Sequence, residues 1–328
     1  MKIAVIGATG LVGREMLAVL AERGYGNHEV LAAASARSAG SRLPFAGREL
    51  EVTTVEDALA QRPQFAIFSA GAEASRQYAP QFAMAGCTVI DNSSAWRKDA
   101  EVPLVVPEIN IAAVRPTDRI IANPNCSTIQ MVLALSPLQR EYGIRRIVVA
   151  TYQSITGTGL KAIRQLETEE AGSQCTDPAY PNPIHRNLFP HGGDFLPTGY
   201  TTEEQKLIDE TRKIFGDKHI DISPTVVRVP VVGGHSEAVN VELRRDYTLD
   251  DVRRLLAETP GIVLQDDPSQ ALYPMPVTAH HHDEVFVGRL RRDPSQPMTL
   301  NLWIVADNIR KGAATNAVQI MQYLTRKK

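Results

Sequence analysis

The stretch Asn123-Pro124-Asn125-Cys126-Ser127-Thr128-Ile129-Gln130 puts a thiol where one element ends and another begins, between the strand-like run Arg119 to Ala122 and the helix-like run Met131 to Leu138. At the head of a helix, backbone N–H groups and the macrodipole direct partial positive charge at a sulfur, which lowers its pKa and favours the nucleophilic thiolate. The same N–H groups can receive the oxyanion formed when a thiolate attacks a carbonyl. The bland alternative is a small buried residue filling a core. That alternative is adopted for Cys87, inside Cys-Thr-Val-Ile-Asp, and for Cys175, in a polar loop. A thiol nucleophile needs a base, and His235, in Gly-Gly-His-Ser-Glu between two apparent strands, is the best placed. His280, His281 and His282 adjoin one another, so all three side chains cannot converge on one ion; an exposed loop and no metal are expected there. His185 and His191 fall in an irregular segment, and His28 and His219 have polar surroundings.

A second chemistry is written at the start of the chain. Gly7, Gly10 and Gly13 follow an apolar run, Lys2 to Ile6, and open a helical pattern with Leu11, Met16, Leu17 and Leu20. Strand, glycine turn and helix together form a dinucleotide site, because glycines let the backbone approach a pyrophosphate whose charge meets the helix N-terminus. The spacing is GxxGxxG, not GxGxxG, so context carries more weight than the pattern. At the end of the next strand an NAD site usually has an acid for the ribose 2′-hydroxyl; here the chain reads Ala34-Ser-Ala-Arg37-Ser38-Ala-Gly40, with no acid. A guanidinium and a hydroxyl suit a 2′-phosphate, so NADP is expected over NAD. A solvated loop arginine is the alternative.

These groups need positioning elements. Strand-like runs Glu29 to Ala34, Phe65 to Ser69, Thr88 to Asp91 and Arg119 to Ala122 alternate with helical patterns such as Glu73 to Ala85, which predicts a doubly wound parallel sheet. After about residue 125 the texture changes. Ile144 to Thr151, Thr225 to Pro230, Ala238 to Leu243, Val285 to Leu290 and Leu300 to Val305 are strands with few helices between them, as in a largely antiparallel or mixed sheet. Residues 172–200, rich in Pro, Gly, Asn and His, form a long surface excursion whose length suits a dimer arm or lid. Asn308 to Leu324 is helical and is expected to pack back on the first domain. The expected division is therefore a Rossmann-type domain at 1–125, completed by a helix over 308–328, and an α+β domain at 126–307.

Composition narrows the classes. The chain has 328 residues, enough for two cores, with 43% hydrophobic and 22% charged residues. No apolar run reaches the roughly 18 residues of a bilayer span, and the apolar stretch behind Lys2 is too short for a signal peptide. Three widely spaced cysteines make no disulfide framework and no CxxC site, which fits a reducing cytoplasm. A net charge of -2 argues against a nucleic-acid surface. The expected partners are small molecules, with no nucleic acid and no membrane.

These residues resemble the aspartate-semialdehyde dehydrogenase family. The likeness covers nearly the whole chain: GATGLVG at 7–13, ASARSAG at 34–40, DNSSAWR at 91–97, VPLVVPEIN at 102–110, NPNCSTIQ at 123–130, TYQSITGTG at 151–159, RVPVVGGHSE at 228–237 and DNIRKGAA at 307–314. N-acetyl-glutamyl-phosphate reductase is a near alternative, but its cysteine motif carries Gly where this chain has Asn125. The resemblance implies Cys126 as acyl-enzyme nucleophile, His235 as acid/base, Gln153 orienting the thioester and Asn125 helping to place the thiolate. It implies Arg228 on the substrate α-carboxylate, Glu203 on its ammonium, with Glu204 as a rival, and Arg97 and Lys206 on phosphate. Thr9, Gly10, Leu11 and Val12 would line the pyrophosphate, Thr156 and Gly157 would approach the nicotinamide, and Asn308 would close the pocket. Where the family commonly has Ser-Gly-Ala-Gly, this chain has Thr156-Gly157-Thr158-Gly159, which leaves the part played by residue 156 open.

The implied reaction is reversible, NADPH-dependent reductive dephosphorylation of L-aspartyl-4-phosphate to aspartate semialdehyde by a homodimer, on the route to lysine, threonine, methionine and isoleucine. A non-catalytic NADP-binding relative would be expected to lack the cysteine or the histidine. A Cys–His hydrolase would leave the glycine turn and Arg37 without a role.

Overall fold

The computed structural model describes residues 1–326. Its first compact unit joins Met1–Asn125 to the stretch from Ala313 onward, and its second is Cys126–Gly312. The first unit carries seven strands: β1 (Lys2–Ile6), β2 (Glu29–Ala34), β3 (Arg42–Phe45), β4 (Arg48–Thr54), β5 (Phe65–Phe68), β6 (Thr88–Asp91) and β7 (Ile120–Ala122). They form one sheet in the order β3-β4-β2-β1-β5-β6-β7. Every pairing is parallel except β3 with β4. Ile3 to Ile6 are all fully buried, as expected of a central strand covered on both faces.

The antiparallel hairpin was not anticipated. Its signal was the alternation Leu43, Phe45 before Ala46-Gly47, two residues that both take positive φ and so close a tight turn. Helices α1 (Leu11–Leu20), α2 (Val55–Ala60), α3 (Ala72–Met84) and α4 (Pro107–Asn110) belong to this unit. The first helix ends at Leu20, the last residue of its apolar pattern, and loosens into a wide turn over Ala21–Tyr25, where Gly24 adopts φ 88°.

In the second unit, α5 (Cys126–Tyr142), α6 (Leu160–Glu170), α7 (Thr202–Phe215), α8 (Leu249–Glu258) and α9 (Pro276–Ala279) accompany a six-stranded sheet. Its strands are β8 (Ile144–Ser154), β9 (Asp221–Val229), β10 (His235–Leu243), β11 (Ile262–Leu264), β12 (Val285–Arg292) and β13 (Thr299–Ala306), in the order β11-β12-β13-β10-β8-β9. The sheet is mixed: β8 with β9 and β11 with β12 are parallel, the rest antiparallel. Val149, Val239, Val241, Ile304 and Ala306 join Met131, Leu133 and Leu138 of α5 in one core, so alternate strand residues face that helix.

The chain after β13 divides differently from the expected single helix. Residues up to Gly312 go with the second unit, and Arg310–Ala314 is a wide helical turn before α10 (Thr315–Arg326). Ala317, Val318, Ile320 and Met321 of α10 join Leu17 and Leu20 of α1 in the core of the first unit. Positions 327 and 328 of the expected helix lie outside the described residues. Among those residues no helix is long and apolar enough to cross a membrane.

Candidate active site

In the first unit the chain runs outward from β1 through β2 to β4, then returns to the other side of β1 with β5. The glycine turn therefore sits at the switch point, where ligands of open parallel sheets bind. Two of its glycines answer to the fold. A Cβ on Gly7, at φ 86°, would lie 2.4 Å from the Ser69 carbonyl oxygen, and one on Gly13 would lie 2.2 Å from that of Gly7. Gly10 is different: a Cβ there would meet nothing nearer than 3.4 Å, and the residue is exposed. The N-terminus of α1 has neither a side-chain cap nor an acid in its first turn. An uncapped helix end behind a glycine with no internal reason to be glycine fits a phosphate group. Arg37 and Ser38 stand in the short turn Ala36–Ser38 just after β2, with Arg37 exposed. Arg97 is buried and donates from Nη2 to the Asn92 carbonyl at 2.8 Å. Asn123 fixes the turn before Asn125, donating to Asn92 Oδ1 at 2.7 Å and accepting from Asn316 Nδ2 at 2.7 Å.

In the second unit Cys126 is the first residue of α5 and is half-buried. Pro124, two residues earlier, disfavours helical backbone at Asn123, so the helix cannot run back past the turn, and it begins at the thiol. Gln153 and Ser154 end β8, Arg228 lies opposite Gln153 on β9, and His235 begins β10. Ser154, which sequence reasoning passed over, connects them. Its N–H donates to His235 Nδ1 at 3.0 Å and its carbonyl accepts from Arg228 Nη1 at 2.7 Å. A backbone donor at Nδ1 leaves the imidazole proton on Nε2. That nitrogen is buried and has no hydrogen-bond partner. Burial first, and the Arg228 charge second, push the His235 pKa well below 6.5. A Cβ on Gly157 would fall 3.2 Å from Arg228 Nη1 and 3.3 Å from His235 Nε2, so the missing side chain leaves room beside both. Gln153 Nε2 donates to Ser127 Oγ at 2.9 Å, one residue beyond the thiol. Gly312, also missed, packs on Cys126: a Cβ there would stand 2.8 Å from the cysteine Cβ.

Thr156 keeps a hydroxyl in use. Its Oγ1 lies 2.7 Å from Ser154 Oγ and donates to Asn308 Oδ1 at 2.9 Å, while Asn308 Oδ1 also accepts from the Gly234 N–H at 3.3 Å. Asn308 Nδ2 is buried with no partner, a donor suited to a carbonyl such as a carboxamide oxygen. Glu204 fills the capping box of α7 and accepts from the Val226 N–H at 3.0 Å, whereas Glu203 pairs with Lys206. The excursion is docked, not loose. Phe189 exchanges two backbone hydrogen bonds with Arg228, and the Glu203 N–H donates to the Gly192 carbonyl. Tyr180 lies under the Arg228 guanidinium, 6.0 Å from it.

In the histidine run His281 and His282 are exposed, as expected, and His280 is not. His280 is half-buried and its Nδ1 lies 2.9 Å from Asp307 Oδ2, because buried Asp307 needs donors; the His281 N–H supplies another at 2.8 Å. The His280 and His281 rings stack at 3.7 Å and, with Asp307, could together approach an ion, whereas His282 turns toward Glu284.

Residues 2–116 match the family described as semialdehyde dehydrogenase, NAD binding domain, and residues 135–311 match semialdehyde dehydrogenase, dimerisation domain. The chain is 49% identical to an aspartate-semialdehyde dehydrogenase of Legionella pneumophila, over 99% of this chain and 96% of that protein. It is 46% identical to one of Aquifex aeolicus, over 99% and 98%. The fold is similar to aspartate semialdehyde dehydrogenase II of Vibrio cholerae complexed with ASA, with a TM-score of 0.94, 45% identity and coverage of 99% and 98%.

Proposed function

The chain belongs to the aspartate-semialdehyde dehydrogenase family, and from that premise we propose the reaction its residues carry out. It reduces L-aspartyl-4-phosphate with NADPH to aspartate semialdehyde, releasing phosphate and NADP, and it runs in reverse. This is a step of amino-acid biosynthesis, carried out by a homodimer. Its three cysteines, none of them in a disulfide, suit a reducing compartment, and the enzyme is assigned to the cytoplasm.

The observation that carries the reading is the space beside Gly157, bordered by His235 Nε2 and Arg228 Nη1, in the unit whose helix begins at Cys126. Gly10 and the uncapped start of α1, with Thr9, Leu11 and Val12, would hold the pyrophosphate, Arg37 and Ser38 the 2′-phosphate, and Thr156, Gly157 and Asn308 the nicotinamide end. When bound, the reduced cofactor supplies the hydride.

Arg228 holds the substrate α-carboxylate in a planar two-pronged grip, and Glu203 offers a carboxylate to the ammonium. The helix N-terminus favours negative charge at Cys126 Sγ, which attacks the acyl carbonyl. Arg97 and Lys206 neutralise the phosphate as the C–O bond breaks, leaving a thioester on Cys126. Gln153 adds no charge and keeps the acyl group in line, and Asn125 helps place the thiolate. His235, neutral at pH 7 with its proton on Nε2, hydrogen-bonds from Nε2–H to the oxyanion that hydride addition leaves on the thioester carbon; as that oxyanion collapses to the aldehyde, the C–S bond breaks and the thiolate of Cys126 is released.

The test is phosphate-dependent reduction of NADP with aspartate semialdehyde. Cys126→Ala should lose on the order of 10⁴-fold or more in kcat, and His235→Asn should lose about 10²-fold or more. Full activity in Cys126→Ala would sink the mechanism.

A further inference from the structure

Glu237 is a buried acid that the mechanism above does not use. It follows His235 by two residues on β10, so both side chains face α5, and it is fully buried. Across from it on the same sheet face stand Thr151 of β8 and Ile304 of β13. Over it lies Gln130, one turn along α5 from Cys126 and also fully buried. Gln130 Nε2 donates to the His235 carbonyl at 3.2 Å, so an acceptor fixes which end of the amide is nitrogen. What remains is a set of acceptors. Gln130 Oε1 and both Glu237 carboxyl oxygens are buried without partners. Turning the amide over would serve Glu237 only by setting Oε1 against the His235 carbonyl. A proton on the carboxyl supplies the donor that this set of acceptors lacks.

We propose that Glu237 is a positioning residue that works as a neutral carboxylic acid, its O–H donating to Gln130 Oε1 so that Gln130 holds the His235 end of β10 against the first turns of α5. The proposal rests on Cys126 and His235 acting as argued above. Among the described residues no cation pairs with the group: Arg228 shares this sheet face from β9 but is bonded to the Ser154 carbonyl, and Lys311 is buried in the turn after β13. His235 is its titratable neighbour on β10; Val149, Thr151 and Gln153 face it from β8, Ile304 and Ala306 from β13, and Cys126 and Gln130 from α5, whose first basic residue is Arg140 at the far end. Burial pushes the Glu237 carboxyl well above its ordinary 4.5; the opposing influence is the Gln130 amide N–H, which would favour the ionised form but is already engaged by the His235 carbonyl. The neutral form also keeps a second negative charge away from the thiolate that Cys126 must form, and leaves the His235 imidazole free of a carboxylate that would raise its pKa.

Three measurements on the intact enzyme test this. The difference infrared spectrum of wild type minus Glu237→Gln at neutral pH should contain the carbonyl stretch of a protonated carboxylic acid; a carboxylate band in its place overturns the proposal. Glu237→Ala should lower kcat about tenfold with KM nearly unchanged, and Glu237→Gln, an uncharged donor of the same length, should restore most of the loss. A kcat untouched in Glu237→Ala, or a Gln variant as slow as the Ala one, overturns it too. Because the folded pKa is raised, the protonated carboxyl stabilises the native state fully below about 4.5 and loses that contribution as pH rises. The melting temperature of Glu237→Gln should therefore gain on wild type as pH rises above about 4.5, and a pH-independent difference counts against the proposal. The infrared and melting results do not depend on catalysis, so they decide the state of Glu237 even if Cys126→Ala proves active.

Discussion

Arg228 makes two demands on its surroundings at once. In the proposed site it would offer a guanidinium to the substrate carboxylate, and its charge adds to burial in holding the His235 imidazole neutral. Arg228→Gln should therefore do two things. KM for aspartate semialdehyde should rise at least about tenfold, because a charge-assisted hydrogen bond is worth roughly 1.5–3 kcal/mol. The acid limb of the kcat/KM profile should also move to higher pH, since removing a cation lets the imidazole pKa climb part of the way back toward 6.5. An acid limb that stays put in Arg228→Gln would show that the charge is not felt at Nε2. The same sign governs stability. With a depressed folded pKa, the unfolded chain binds the extra proton first, so the His235 contribution is lost as pH falls below 6.5 toward the folded value. The residue types that could do this chemistry were readable one by one: Cys126, His235, Gly7, Gly10 and Gly13. Their supports were not. Ser154 acts through its backbone N–H and carbonyl, which every residue type has, so its identity carries no signal. Glu203 and Glu204 look alike in sequence, and only the capping box separates them.

At the scale of elements, α6 explains why an irregular segment holds still. Gln165 Oε1 accepts from the Ala179 and Tyr180 N–H groups, and Glu169 Oε2 accepts from those of Ile184 and His185, all at 2.8–2.9 Å. Ile155, Ala162 and Leu166 pack on Tyr180 and Ile184 beneath it. Burial alone would raise the Glu169 pKa, but these N–H groups and the Gln165 side chain together hold it below 4.5. The pinning is thus complete above about that pH and is lost as pH falls through the lower folded value. Glu169→Ala should make residues 173–195 several-fold more sensitive to protease and raise KM for aspartate semialdehyde, since Phe189 and Gly192 abut Arg228 and Glu203. Unchanged proteolysis would mean that the apolar contacts suffice. Elements with an apolar run or face, such as β1, β2, α1 and α5, were legible because burial writes itself into residue type. The excursion was legible only as irregular: its partners are backbone groups, and its reading as a surface arm missed the docking on β9 and α7. The β3–β4 hairpin hid in a short polar stretch where two alternating residues are the whole pattern.

Each unit of the whole molecule has its own core, built from Ile3, Val5, Leu17 and Met321 in the first and from Leu133, Val239, Val241 and Ile304 in the second. The six-stranded sheet spends only one face on its core. On the other face, α9 and its neighbours cover the β12 side, where Ala279 packs with Phe286 and Val305 and the Trp303 indole donates to the Pro274 carbonyl. The middle of that face, formed by Val148 and Ala150 of β8 and Ala238 and Asn240 of β10, stays half-exposed. A half-exposed apolar strip at the centre of a long sheet is a surface that association would bury, and it lies in the segment matching a dimerisation domain. Ala150 stands directly opposite Ala238, so one bulky charge there would face its own image or a neighbouring strand across a twofold contact. Ala150→Arg should shift sedimentation from dimer toward monomer. Because Thr151 and Gln153 point to the opposite face, the hydrogen bonds around His235 and Arg228 should survive in the monomer. A variant that remains fully dimeric would move the contact to another part of the second unit.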